Sequence, residues 1–267
     1  MRLVKFLSIL LLLIVIIFFF LKIKVNIMNG EKITFKNYNF QGIECIDDVT
    51  YLISDFDSKI YILSENFELV EFLDTSIIYK KKAIFSHITS FFIKNNFFYG
   101  INSLDKTNGI MVKAPILDNQ GFKKLSNLPY DITRLETNIN HIEYSIDGNE
   151  IIVSHHYSQK RKENVLKVTI NKILKCEIEN KITIQNLYYD KKTKNLLIIS
   201  NLVGHHIGVI YKLPIKKLCK KDNLNFFNIK NKELFFFPFY ELESYTFCKN
   251  REYFVYINRD NSYIYLK

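Results

Sequence analysis

The chain has 267 residues, of which 48% are hydrophobic and 24% charged; this excludes a disordered or low-complexity protein and leaves ample material for a buried core. Its 23 Phe and 17 Tyr, against 8 Gly, 4 Pro and no Trp, favour strands, because aromatic side chains suit a pleated, half-buried surface. Lys and Arg outnumber Asp and Glu by 37 to 27, a net charge of +10, but no compact basic run with base-stacking aromatics stands out, so nucleic acid is not an expected partner.

At the N-terminus, Phe6 to Leu21 form an apolar run interrupted by Ser8 alone, with Arg2 and Lys5 before it and Lys22 and Lys24 after it. Sixteen helical residues span about 24 Å, short of the roughly 30 Å hydrocarbon core, and extension through Leu3, Val4, Ile23 and Val25 with snorkelling lysines closes the gap. No small-residue cleavage pattern follows before Gly30, so an uncleaved signal-anchor helix over residues 1–30 is expected, with a cleaved signal peptide as the competing reading, and a separate body over 31–267. The flanking charges lean toward a cytoplasmic N-terminus, making this a single-pass membrane protein whose C-terminal body is extracytoplasmic. Without Arg2, Lys5, Lys22 and Lys24 the body keeps 33 basic against 27 acidic residues, or +6. Cys45, Cys176, Cys219 and Cys248 form no C-x-x-C pair, which removes zinc ribbons and redox motifs. Isolated buried thiols are expected, with a Cys45–Cys248 disulfide as the alternative in an exported body.

The body shows no long amphipathic helix and instead repeats one unit: a short apolar strand, a polar turn, a stronger strand, a loop and a third strand. The copies are GIECI–VTYLIS–KIYIL, HITSFFI–FFYGIN–GIMVKAPI, HIEYSI–EIIVS–VLKVTI, IQNLYY–NLLIIS–IGVIYKLPI and ELESYTF–REYFVYIN–YIYLK. Second strands begin near Tyr51, Phe97, Ile151, Leu196 and Tyr253, a period of 45 to 57 residues. Such a period with three or four strands per unit predicts an all-β fold, a β-propeller of about five blades. Fourth strands are expected at Leu69–Phe72, Phe122–Leu125, Ile173–Ile178 and within Leu234–Phe239. The fifth copy ends at Lys267 after three strands, so Ile33–Lys36 is expected to supply its outer strand and close the ring.

GIECI…TYLISDFDSKIYIL (Gly42 to Leu63), and more weakly HIEYSIDGNEIIVS and NLYYDKKTKNLLIIS, resemble the SdiA-regulated, phytase-esterase-like and gluconolactonase-like propeller repeats. Innermost strands line a propeller's channel, and Glu44, Glu143 and Glu243 (in GIE, HIE and ELE) look equivalent, with Thr89 and Asn186 in the other two copies. Converging carboxylates repel and recruit a cation; oxygen donors suit Ca²⁺ or Mg²⁺, and histidines favour a transition metal. The resemblance to gluconolactonase-like propellers implies a metal at the channel mouth, with Glu44, Glu143 or Glu243 holding it and Asn186 and His141 nearby. His87 and His141 open innermost strands, while His155, His156, His205 and His206 are expected in second-to-third loops on the same face. P-loop, G-x-G-x-x-G, H-E-x-x-H and G-x-S-x-G motifs are all missing, so no nucleotide is expected. The expected function is an envelope binding or scaffolding module with a protein partner; the competing expectation is a divalent-metal-dependent lactone or ester hydrolase.

Overall fold

The structure, a computed structural model, describes residues 24–27, 30–46, 49–54, 59–64, 66–74, 78–79, 82–83, 88–94, 97–103, 109–115, 131–135, 140–146, 149–158, 163–202, 207–220, 223–225, 229, 231–236, 240–248, 250–258 and 261–267. The apolar run Phe6–Leu21 lies outside them, and among the described residues no helix is long and apolar enough to cross a membrane.

The chain enters through β1 (Lys24–Ile27) and β2 (Glu31–Lys36), which are outer strands of sheets formed later. The first sheet is β3 (Phe40–Ile46), β4 (Val49–Ser54), β5 (Lys59–Leu63) and β6 (Leu69–Asp74). A small hairpin, β7 (Ile78–Tyr79) and β8 (Lys82–Ala83), precedes the second: β9 (Ile88–Lys94), β10 (Phe97–Ser103), β11 (Gly109–Pro115) and β12 (Asp131–Leu135). The third holds β13 (Asn140–Ile146), β14 (Asn149–Ser158), β15 (Glu163–Ile170) and β16 (Ile173–Asn180). In the fourth, β17 (Asn186–Asp190), β18 (Asn195–Leu202) and β19 (Ile207–Pro214) are followed by an excursion before the outer strand. That excursion carries α1 (Ile215–Leu218) and β20 (Asn223–Leu224) and leads into β21 (Lys232–Phe236). The fifth is β22 (Glu241–Cys248), β23 (Arg251–Asn258) and β24 (Asn261–Leu266), completed by β2.

The first four strands of each of these five sheets pair antiparallel, and the first strands touch in the order β3, β9, β13, β17, β22 and back to β3. The architecture is all-β and propeller-like. β2 pairs along its whole length with β24, Glu31 opposite Leu266 through Lys36 opposite Asn261, as the truncated fifth repeat requires. Gly30 permits this return, because a Cβ there would lie 1.9 Å from the Leu266 carbonyl oxygen. Fourth strands appear at Leu69–Asp74, Ile173–Asn180 and Lys232–Phe236, but the second sheet's is Asp131–Leu135 rather than Phe122–Leu125, which lies outside the described residues. Phe122–Leu125 matches the apolar pattern of an edge strand, yet pairing rather than pattern selects the edge: Leu135 sits opposite Gly109 and Asp131 opposite Lys113.

Turn chemistry fixes the registers. Asn171 and Lys172 both have positive φ (50° and 64°), the geometry of a two-residue hairpin turn, and join Ile170 to its partner Ile173. The Asn171 side chain also accepts from the Glu150 amide at 2.9 Å, tying this turn to the head of β14. In the fourth sheet a longer turn is held by Asp190, whose carboxylate accepts from the Lys192 amide at 2.9 Å and the Thr193 amide at 3.3 Å.

Two sheets gain a fifth strand: β20 adds parallel to β16, and β1 adds parallel to β21, with Lys24 opposite Glu233 and Ile27 opposite Phe236. The body therefore takes in Lys24–Ile27, and the boundary expected at residue 30 moves toward the apolar run. The expected extension of the apolar helix through Val25 is corrected for the same reason: Val25 is strand, opposite Leu234. Core clusters lie between neighbouring sheets, around Leu166, Ile198 and Tyr211; around Phe235, Phe254 and Tyr256; and around Phe40, Tyr61 and Val255.

All four cysteines are paired: Cys45–Cys248 joins the first and fifth sheets, and Cys176–Cys219 joins β16 of the third sheet to the end of α1 in the excursion from the fourth. The expectation of isolated thiols fails because ring closure brings positions 203 residues apart to a Cα separation of 5.9 Å, within disulfide reach.

Candidate functional site

Hairpin turns set the common reference for the five inner strands. Counting back from each turn, Glu44 is third (Ile46, Cys45, Glu44), Glu143 is fourth on β13 and Glu243 is sixth on β22. Their apparent equivalence is therefore corrected, because it was counted from the strand starts, where bulges intervene. Gln41, Thr89 and Glu243 are the extra residues at register shifts in β3, β9 and β22, and each is sixth from its turn. His141 is sixth on β13, and Gln185, whose amide donates to the Ile199 carbonyl, continues β17 to its sixth position. The sixth level thus reads Gln41, Thr89, His141, Gln185 and Glu243, polar in every sheet. It lies toward the end of each first strand remote from its hairpin turn, and bulges commonly re-aim side chains where a strand meets a site.

Of the expected ligands, Glu243 and His141 share this level, while Glu44, Glu143 and Asn186 occupy others. Glu243 is buried, and Gln185 donates from Nε2 to Glu241. Asn186 stitches the fourth and fifth sheets: Nδ2 donates to Ser244 Oγ at 3.0 Å and Oδ1 accepts from the Leu187 amide at 2.6 Å. The side chains of His141 and Glu143 lie outside the described residues, and among the described residues no three His, Cys, Asp or Glu side chains gather to hold a metal ion.

Three residues nearer the turns, the third level holds Glu44, Phe92, Tyr144, Tyr188 and Thr246. Loss of hydration pushes the Glu44 carboxyl up to about 7, with Lys191 pulling it back down. Tyr188 is raised to about 12, first by burial and then by the charge of Glu44. A carboxyl poised near neutrality beside a phenol is a proton donor or acceptor of useful strength. Beyond it, between the fourth and fifth sheets, a cleft of about 260 Å³ is lined by Asp190, Lys192, Lys212, Tyr245 and Glu252 among others. Its charges are internally matched: Lys212 pairs with Glu233 at 2.6 Å, Lys267 with Glu252 at 3.3 Å, and Tyr245 donates to Glu252 at 3.2 Å.

The histidines diverge from expectation. His155 and His156 belong to β14, because the β14–β15 hairpin runs on to Ser158 opposite Glu163. His155 is buried, with Nε2 3.0 Å from Asn180 Nδ2, so it is core and not a loop residue. His87, His205 and His206 lie outside the described residues. The signal for the polar sixth level is the distance back from each Asp/Asn/Lys turn, a count that motif alignment by strand starts passes over.

No protein-family profile matches the chain, nor does any curated protein. Among solved structures, glutaminyl cyclase of Myxococcus xanthus, a β-propeller, matches with a TM-score of 0.54 at 9% identity, covering 92% of this chain and 98% of that one. A candidate exported protein of Bacteroides fragilis matches with a TM-score of 0.44 at 13% identity, covering 91% of this chain and 75% of that one. At 9% identity the cyclase likeness speaks for the fold alone.

Proposed function

We propose that the chain is a membrane-anchored, exported five-bladed β-propeller that works as a binding module through the loop-end mouth of its channel. The observation that carries this reading is the sixth level: Gln41, Thr89, His141, Gln185 and Glu243 place a polar residue at one height in all five sheets. Uniform polarity at one level, among first strands otherwise rich in Ile, Leu, Phe and Tyr, favours recognition over packing. Five sheets whose first strands touch in cyclic order support the blade count, and two disulfides support an oxidising, extracytoplasmic compartment. Function in a propeller lives in such a site, not in the fold.

The test is photocrosslinking of the full chain in native membranes from position 41, with the probe replacing Gln41. A discrete protein adduct that disappears with Glu243→Gln supports the module; the absence of any adduct from position 41 removes it. A second reading, a cation-assisted hydrolase of lactones or esters, is favoured by Glu243 and His141 sharing a level and by the proton-exchanging Glu44. It requires stoichiometric Ca²⁺ or Zn²⁺ in the purified protein, lost in Glu243→Gln, and turnover of an aryl ester that falls with Glu44→Gln. Metal-free protein unaffected by EDTA ends that reading.

A further inference from the structure

The seam between the fourth and fifth sheets carries a cluster of phenols around one cation at its outer edge. β2 and β24 pair with Lys32 opposite Tyr265 and Thr34 opposite Tyr263, so these four side chains share one face of the fifth sheet. Tyr240, just before β22, meets Tyr263 edge to face, with ring centroids 4.9 Å apart and planes at 79°. Tyr256 of β23 braces Tyr265, also edge to face, at 5.6 Å. Lys32 Nζ stands 4.1 Å from the ring centroid of Tyr263, 5.3 Å from that of Tyr240 and 5.8 Å from that of Tyr265. All three lie inside the ~6 Å over which a cation is drawn to the negative face of a ring.

Among the described residues Lys32 Nζ has neither a carboxylate nor a hydrogen-bond acceptor. Glu31, its neighbour in sequence, falls on the opposite face of β2. An ammonium carries three N–H donors, is strongly hydrated and ordinarily seeks oxygen. Lys32 is exposed, so its donors are left to water, while Tyr263 and Tyr265 are buried and Tyr240 is half-buried. Ring faces that offer no acceptor suit a cation with no N–H to satisfy, which is a quaternary ammonium. Burial pushes the Tyr265 phenol up to about 12 and raises that of Tyr263, so a cation meets neutral rings there. The hold of such rings on an exposed lysine is weak, which makes Lys32 a displaceable occupant.

We infer that Tyr240, Tyr263 and Tyr265 form a binding site for a quaternary-ammonium group, which Lys32 of the same chain occupies until a ligand displaces it. The site lies at the outer part of the fourth–fifth seam and stands independently of the channel reading above. Its ligand is a free trimethylammonium compound or the choline headgroup of a lipid, one chemistry from two sources. Only the Lys32 side chain has to swing out, so binding leaves the pairing of β2 with β24 intact.

The test is titration calorimetry of the full chain in a maltoside detergent, which has no cationic group, with choline and with its neutral carbon isostere dimethylbutanol. Choline is expected to bind the parent, and to bind Lys32→Ala about threefold more tightly once the tethered cation no longer competes. Tyr240→Leu keeps an apolar side chain without a ring and is expected to weaken choline about threefold, while Tyr240→Phe restores it. Circular dichroism checks each fold, and the comparison of the two ligands on the parent needs no substitution at all. Glycerophosphocholine binding at least as tightly as choline names the lipid headgroup as the source, and weaker binding names a free compound; both support the site. Equal affinity for choline and dimethylbutanol would mean an apolar gap that ignores charge. Failure of both the parent and Lys32→Ala to bind choline would leave Lys32 on its rings as a packing contact, and either result overturns the proposal.

Discussion

The seam between the fifth and first sheets and the seam between the third and fourth join neighbours in the same geometry with different chemistry. The first is stitched by polar groups from distant parts of the chain. Ser262 Oγ accepts from the Phe40 amide and donates to the Tyr38 carbonyl, both at 2.8 Å, and Ser244 Oγ accepts from the Ile43 amide at 3.3 Å. The third–fourth seam is mostly apolar, with Leu166, Val168, Ile178, Leu196 and Ile198 all nearly inaccessible, and the excursion bearing α1 and β20 is folded over it. Each seam has its own disulfide. Sequence-near sheets meet early and can rely on non-directional burial, whereas a closing seam must select one register for chain ends that meet last, which directional bonds do.

If that contrast is right, the largest effect comes from removing the closing strand. Deletion of Ile33–Lys36 strips β24 of most of its outer partner and leaves a bare edge. It is expected to abolish the cooperative thermal transition, a loss comparable with the ~5–15 kcal/mol that holds a domain together. A melting temperature within about 5 °C of the parent would show the ring does not depend on β2. Next come the disulfides. With 203 and 43 residues enclosed, loop entropy predicts losses of about 5 kcal/mol for Cys45→Ala/Cys248→Ala and about 4 kcal/mol for Cys176→Ala/Cys219→Ala, read by urea denaturation. An equal or larger loss at the third–fourth seam would mean packing, not chain closure, sets the order.

Glu44, adjacent to Cys45 at the closing seam, adds a pH signature. Its carboxyl titrates near 7 in the folded chain and near 4.5 when unfolded, so between these values the native state holds the extra proton. Stability contributed by this group is full below pH 4.5, falls as pH rises, and is gone above about 7. Glu44→Gln keeps the shape of the protonated acid. It is expected to match the parent at pH 4.5 and to exceed it by about 1–3 kcal/mol at pH 8, measured as urea midpoints across that range. A Gln variant whose difference from the parent does not change with pH would place the Glu44 carboxyl in water.

Much of the architecture was legible in the residues. Hairpin-forming runs such as NLLIIS and REYFVYIN stated their strands through apolar content, and the short fifth repeat demanded a strand from Ile33–Lys36. What failed depended on register or on distant pairing. Glu44, Glu143 and Glu243 looked equivalent because GIE, HIE and ELE align as letters, while two, three and five residues separate them from their turns. β1 hid inside a charged flank, since a parallel edge strand of four residues, KVNI, has no turn signal of its own. His155 read as loop because the β14–β15 hairpin is longer than its apolar core.

The smallest effects separate the seams most sharply, because they ask what one hydroxyl does in each. Ser262 is inaccessible, and its Oγ satisfies one amide and one carbonyl of the incoming chain. Ser262→Ala leaves both without that partner and is expected to cost about 1–3 kcal/mol. Tyr211 is equally inaccessible in the third–fourth cluster, but its hydroxyl has no hydrogen-bond partner among the described residues, and burial raises its pKa well above the ordinary phenol value. Tyr211→Phe removes a desolvated dipole without opening a cavity larger than one oxygen. It is expected to be neutral or stabilising by up to about 1 kcal/mol. Opposite signs in urea denaturation would confirm that the closing seam depends on a directional bond where the third–fourth seam does not. A loss of about 1 kcal/mol or more on Tyr211→Phe would mean the apolar seam also depends on a directional bond, and the contrast between the two would fail.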